Sequence, residues 1–98
     1  MVFAELQYPE HYSDVHDDLL AFICKHFSNV ESGHQGDSYI WIRDGDEKVA
    51  IDTFSSMTHQ VKSPRPGQHV QRVIEALQLR FKVKVYENPE LEGNEPAS

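Results

Sequence analysis

The chain has little of what disulfide, thiolate or membrane chemistry requires. Cys24 is the only cysteine in 98 residues, which excludes an intrachain disulfide and a zinc site built from several thiolates. Its place in an apolar helical stretch predicts a buried, unreactive thiol. No apolar run approaches the roughly 18 residues of a membrane span, and Met1–Glu5 lacks the basic residues of a secretion signal. We therefore expect a cytoplasmic protein without membrane contact.

Basic residues are also scarce, because 9 lysines and arginines stand against 16 acids and give a net charge of −7. Such a balance disfavours non-specific binding to a phosphate backbone. The acids are concentrated in residues 1–55, whereas residues 56–86 carry six bases and one acid. Either the two parts complement each other within the fold, or the acidic part faces a basic partner.

Hydrophobic periodicity predicts the main elements. Alternation predicts a strand over residues 2–8, and helical spacing predicts a helix that follows Ser13 and ends near Ser28. The weakly patterned residues 30–35 predict no regular element. Asp44-Gly45 lies between two runs of β-forming residues, which is a strong signal for a hairpin. A second helix after Pro66 and a strand over residues 81–86 complete the chain.

The predicted order is β-α-β-β-(β)-α-β, where the bracketed strand is a short one around residues 57–61. Two helices on one face of a mostly antiparallel sheet would bury both apolar helix faces. We therefore predict an α+β two-layer sandwich, ferredoxin-like or another split βαβ variant, over residues 1–87. Residues 88–98 are acidic, have little to bury, and predict a disordered tail.

The same alternation predicts which strand residues point away from the helices. This open face mixes aromatic and basic side chains, which is typical of a contact surface. Its predicted binding residues are Tyr39, Trp41, Lys48, Phe54, Lys82, Lys84 and Tyr86, with Phe3 and Arg43 on the same face. It could bind a protein partner or a second copy, be covered by the chain itself, or stack single-stranded nucleic acid. Nucleic acid is disfavoured, because Glu47–Phe54 lacks the basic-glycine-aromatic signature of the RNA-recognition motif.

A second candidate site lies where the second helix begins. The amide groups at a helix N-terminus favour an anion, yet the residues here are basic rather than acidic. The predicted anion-binding residues are Lys62, Arg65, Gly67, Gln68 and His69. A small anionic ligand would satisfy them, as would an acidic surface of the same chain, a partner subunit or solvent.

The six histidines invite a metal or catalytic interpretation. His11, Asp14 and His16 lie close together but lack the i, i+4 histidine pair of a zinc helix. Two other groupings resemble a hydrolase site: His34 with Asp37, and Asp52 with Ser55, Ser56 and His59. No Gly-x-Ser-x-Gly turn is present to expose a nucleophile. The sequence thus predicts no catalytic residue, no metal site and no cofactor.

Two segments carry a resemblance to known proteins. Gly33–Ile42 (GHQGDSYIWI) and Asp52–Ser63 (DTFSSMTHQVKS) resemble small bacterial proteins of the pseudomonad type whose function is unassigned. The resemblance implies a bacterial cytosolic protein and assigns no active-site residue.

These features favour a non-enzymatic binding or protein-interaction domain that works through the open face or through the loop before the second helix. Two alternatives stay open. One is a small enzyme that uses His34, Asp37, Asp52 and His59. The other is an acidic, immunity-type partner of a basic protein, as the charge of residues 1–55 would allow.

Overall fold

The computed structural model describes residues 1–91, which form six strands and two helices. In chain order these are β1 (Val2–Leu6), α1 (Tyr12–His26), β2 (Val30–Gln35), β3 (Asp37–Asp44), β4 (Glu47–Asp52), β5 (Gln60–Lys62), α2 (Gln68–Gln78) and β6 (Val83–Glu90). Neither helix of this described part is long and apolar enough to cross a membrane.

The strands form one antiparallel sheet in the order β2-β3-β4-β5-β1-β6. Each helix connects two parallel strands that are not neighbours, β1 with β2 and β5 with β6, which is a split βαβ connection. The apolar residues of both helices join one core cluster with those of the sheet. The chain is therefore an α+β two-layer sandwich, and the opposite face of the sheet carries no helix of the described residues.

The sheet has one strand that the sequence does not predict, because residues 30–35 form β2. This strand lies at the sheet edge, and only Val30 and Gly33 within it are partly buried. An edge strand with so little burial shows no hydrophobic alternation that a sequence could reveal. An optional strand near the predicted residues 57–61 is present, but it begins later, as the three-residue β5 (Gln60–Lys62).

A bulge in β1 changes the face on which Phe3 lies. Ala4 lies opposite Val61 and Val2 lies opposite Lys62, so the register shifts at the residue between them. Phe3 consequently packs into the core cluster and is 7% exposed. The prediction that Phe3 lies on the open face is wrong, because one extra residue reverses the alternation of a strand.

The helices follow their predicted apolar stripes with one exception. In α1, Val15, Leu19 and Ile23 are buried, as their spacing predicts. Cys24 is exposed, because it follows Ile23 by about 100° around the helix and so leaves the buried stripe. The prediction of a buried thiol is therefore wrong.

The chain end differs from the predicted boundary. β6 continues to Glu90, which lies opposite Val2, so the first residues of the predicted tail belong to the sheet. The remainder of that predicted tail, residues 92–98, lies outside the described residues.

Candidate functional site

Tyr39, Trp41 and Lys48 meet on the open face of the sheet. The ring centroids of Tyr39 and Trp41 are 4.6 Å apart, and the Lys48 ammonium lies 4.2 Å from the centroid of the Trp41 ring. A cation over an indole is attracted by the negative ring face. Phe54, directly after β4, is 53% exposed and its ring centroid lies 6.1 Å from that of Tyr39. These four predicted residues form one aromatic cluster.

Gly33 on the edge strand β2 holds Tyr39 in this cluster. The two residues are directly opposite in the β2–β3 pair, and the tyrosine ring lies over the glycine. A Cβ atom at residue 33 would come within 2.4 Å of the ring. The aromatic ring thus fills the space that the missing glycine side chain leaves, a known device for edge glycines.

The other predicted residues of the open face lie apart from this cluster. β5 and β1 separate β6 from β4, which puts Lys84 and Tyr86 at the far edge of the sheet. There the Tyr86 hydroxyl donates to Glu5 over 3.2 Å. Lys82 precedes β6 and is exposed. The predicted surface is therefore two separate regions, and the one on β3 and β4 holds three aromatic residues whereas the one on β6 holds only Tyr86.

A groove runs beside the aromatic cluster because of one small residue. Ala50 in β4 lies opposite Trp41 on one side and Lys62 on the other, and its methyl group leaves a concavity of about 280 Å³ between these larger neighbours. Phe54 and Pro64 complete its walls. We call this concavity the Ala50 groove.

A buried ion pair lies at one end of the Ala50 groove. The Lys62 ammonium is 2.6 Å from the Asp52 carboxylate, and the two side chains are only 6% and 5% exposed. The ammonium also lies 3.3 Å from the Ser55 hydroxyl. The Phe54 amide donates to Asp52 over 3.3 Å. Buried charges are tolerated only when paired and hydrogen-bonded, so this pair is part of the fold.

The predicted anion site at the start of α2 is not assembled as expected. Lys62 lies in β5, and its ammonium pairs with Asp52. Arg65 donates to Glu47 over 2.8 Å, and the His69 ring lies 3.5 Å from the same carboxylate. The hydrogen bond from Arg65 lowers the pKa of Glu47 and keeps it charged. Glu47 is thus the anionic group that contacts Arg65 and His69, while Gly67 is the N-cap residue of α2, which begins at Gln68.

The ion pairs show that the acidic and basic parts of the chain complement each other. Arg65 with Glu47, Arg72 with Asp44, and Arg80 with Asp18 each join residues 56–86 to residues 1–55. With the Lys62–Asp52 pair, four of the six bases in residues 56–86 are matched by acids of the first part. Much of the charge difference between residues 1–55 and residues 56–86 is therefore neutralised by ion pairs within the fold.

A second polar cluster lies on the helix side of the sheet. The Ser38 hydroxyl is 2.7 Å from the Nε2 atom of His59 and 2.5 Å from the Nδ1 atom of His16. The Nδ1 atom of His59 is 2.7 Å from the Tyr8 hydroxyl. We call Tyr8, His59, Ser38 and His16 the imidazole relay. The His16 ring in turn stacks on the exposed His34 ring, with centroids 4.7 Å apart.

The imidazole relay is satisfied with both of its histidines neutral. Tyr8 can donate to His59, His59 to Ser38, and Ser38 to His16, so the His59 ring uses one donor and one acceptor while the His16 ring accepts at Nδ1. Burial, aided by the charges of His16 and His34, lowers the pKa of His59 to about 4. Burial and the neighbouring His34 also lower the pKa of His16, against the opposing effect of Asp17. Both shifts favour the uncharged rings.

The relay does not support the enzyme alternative. It brings a serine next to a histidine, but Ser38 and His59 are each 0% exposed, and a nucleophile must reach its substrate. The hydrogen-bond partners of the His59 ring are Tyr8 and Ser38, whereas Asp52 is bound to Lys62. Within residues 1–91 no three histidine, cysteine or acidic side chains come together in a way that could hold a metal ion.

Comparison of the chain with protein families, curated proteins and solved structures yields no match. The resemblance to small bacterial proteins accordingly stays a prediction.

Proposed function

We propose that the chain is a cytoplasmic, non-enzymatic protein-interaction domain that binds a partner protein through the Ala50 groove and the aromatic cluster beside it. The observation that supports this most is the composition of the groove rim. Trp41 and Phe54 provide apolar contact area, and Lys48 has no carboxylate partner among residues 1–91. Aromatic residues such as Trp41 are enriched at the centres of protein interfaces.

The rest of the described surface supports the same choice by contrast. The basic residues near α2 are paired with acids of the chain itself, and the serine–histidine contact is closed inside the core. The apolar residues Phe54 and Met57 are both exposed in the loop after β4, and Phe54 lines the groove. Exposed apolar groups beside a concavity provide the area that a partner buries.

The experiment is site-specific photo-crosslinking in extract of cells that express the protein naturally. A photoreactive phenylalanine analogue replaces Phe54 in one preparation and Leu79 in the other. Leu79 is a matched control, because it is 75% exposed and ends α2 on the helix side. We expect a discrete protein adduct from position 54 and none from position 79. Trp41→Glu in the position-54 preparation should remove the adduct.

Three outcomes contradict the proposal. An adduct of twice the mass of the chain would mean that a second copy, not a different protein, occupies the groove. Equal adducts from both positions, or none from position 54, would mean that the aromatic cluster is not a binding surface.

A further inference from the structure

The Ala50 groove has a size that limits what it can hold. Its volume is about 280 Å³, which is below the range of roughly 300–1,000 Å³ that pockets for drug-sized ligands occupy. The floor is one methyl group between the side chains of Trp41 and Lys62. An apolar side chain inserted by a partner could pack against this floor and between these two larger neighbours.

The charges of the groove are ordered along β4. Lys48, Ala50 and Asp52 alternate on the open face of this strand, so a cation stands at one end and an anion at the other. The Asp52 end is neutralised, since its carboxylate is bound to the Lys62 ammonium. The Lys48 end is not neutralised by any carboxylate of residues 1–91. Within a chain of net charge −7, this end of the groove is locally positive.

Lys48 can accept an anion without leaving Trp41. Its ammonium has three N–H donors, and the ring attracts it from one side at 4.2 Å. A carboxylate placed on the solvent side would meet both a cation and an apolar rim. Because water is partly displaced there, the ion pair would be stronger than one on an open surface.

We infer that the Ala50 groove recognises an acidic peptide segment, in which an apolar side chain enters above Ala50 and a neighbouring carboxylate binds Lys48. This inference rests on the proposed function and names the chemistry of the partner. Nucleic acid fits less well, because it needs several cations for its phosphates, and the ring face of Trp41 that would stack a base is covered by Lys48.

Trp41 is the only tryptophan, so its fluorescence reports on the groove directly. The probe is the amidated peptide acetyl-Gly-Glu-Leu-Glu-Gly-amide, titrated into the full chain at low salt. One control peptide replaces both glutamates by glutamine, and another replaces the leucine by glycine. We expect a saturable change with the probe and binding at least about threefold weaker with each control peptide, the size expected when one partly exposed contact is lost.

Protein variants test the two halves of the recognition separately. Lys48→Gln should reduce affinity for the probe about threefold to fivefold, as for loss of one ion pair, and should abolish the preference for glutamate over glutamine. Ala50→Leu should fill the groove and remove the saturable change. Residue 50 is only partly buried, so the larger side chain is accommodated, and circular dichroism checks the fold. Lys25→Gln, an exposed lysine in the last turn of α1, is the control and should bind like the parent chain.

The result that overturns the inference is equal binding of the glutamate and glutamine peptides, or undiminished binding to Ala50→Leu. Tighter binding of oligo-dT than of the probe would overturn it in favour of nucleic acid. If the peptide result is negative while position 54 still cross-links to a partner protein, the recognition chemistry is wrong and the proposed function stands. If neither experiment gives binding, both are wrong.

Discussion

The two faces of the sheet bury polar side chains in opposite ways. On the helix side, the imidazole relay consists of neutral groups, each of which finds its hydrogen-bond partner inside the protein. On the open face, Asp52 and Lys62 form a buried ion pair, and Lys48, at the other end of the Ala50 groove, has no counterion in residues 1–91. The polar groups of the relay bind one another, whereas the Lys48 ammonium in the groove can still bind an anion.

This difference teaches that buried polar residues do not by themselves indicate a functional site. A serine between two histidines resembles catalytic chemistry, but its hydrogen bonds are all used and its hydroxyl is not exposed. The aromatic cluster resembles ordinary surface, yet its cation lacks an anion. Unused interaction capacity at an accessible position is the better indicator, because a ligand supplies what the fold does not.

Breaking the buried ion pair should have the largest effect on stability. Lys62→Met leaves the Asp52 carboxylate buried without its cation, and we expect the free energy of unfolding to fall by about 3–5 kcal/mol. Urea unfolding followed by Trp41 fluorescence measures this loss. The double variant Asp52→Leu with Lys62→Met should recover most of it, because no charge is then buried.

The control for that prediction is Arg72→Met. Arg72 pairs with Asp44 over 3.0 Å at a position where both side chains are about half exposed or more, and such a surface pair contributes about 1 kcal/mol at most. Equal losses for Lys62→Met and Arg72→Met would show that the pair beneath the Ala50 groove is solvated, and the contrast between the two faces would disappear.

The imidazole relay should make stability depend on pH. Because the pKa of His59 is about 4 in the folded chain and about 6.5 in an unfolded one, the unfolded chain binds a proton that the folded chain does not hold between these values. The relay's contribution is therefore complete above about pH 6.5 and is lost as the pH falls towards 4. For His59 the loss amounts to about 3 kcal/mol at most, and the lowered pKa of His16 acts in the same direction.

Urea unfolding of the parent chain and of His59→Gln at a series of pH values between 7 and 4 isolates this contribution. The variant removes the titrating ring and should have a shallower decline. The groups that face His59 are the Tyr8 hydroxyl, Ser38 and the rings of His16 and His34, none of which carries negative charge in this range. His11→Gln, at an exposed histidine, should keep the parent's pH dependence. An unchanged decline in His59→Gln would show that the relay does not exclude protons.

The fold could be predicted from the sequence wherever burial is one-sided. The stripe of α2, at Val70, Val73, Ile74 and Leu77, is buried as its spacing predicts, and the hairpin of β3 and β4 forms around Gly45, whose φ of 63° suits the turn. β2 could not be predicted, because its outer position leaves almost no apolar pattern. The bulge at Phe3 could not be predicted either, since alternation assumes a regular strand.

The candidate site could be predicted in part for the same reason. That Tyr39, Trp41 and Lys48 share one face could be predicted from strand alternation, because β3 and β4 form a hairpin of consecutive strands. Alternation also places two members of the imidazole relay on the helix side of the sheet. Ser38 precedes the buried Ile40 by two residues, and His59 precedes the buried Val61 by two. Only the strand order brings β5 beside β4 and α1 over β3, and no local pattern contains that information.

Gly33→Ala should have the smallest effect on stability, but it should change the aromatic cluster on the open face. The new Cβ atom would lie 2.4 Å from the Tyr39 ring, and because the obstructing atoms are the far end of a flexible side chain, the ring should swing away rather than the sheet distort. We expect the free energy of unfolding to change by about 1 kcal/mol or less. Trp41 emission should change more visibly, since Tyr39 leaves its position 4.6 Å away.

Gln35→Ala, on the same face of β2 but not under the ring, should leave the emission unaltered. If Gly33→Ala also leaves it unaltered, Tyr39 is not held in place by the glycine, and the aromatic cluster has less order than the Ala50 groove requires.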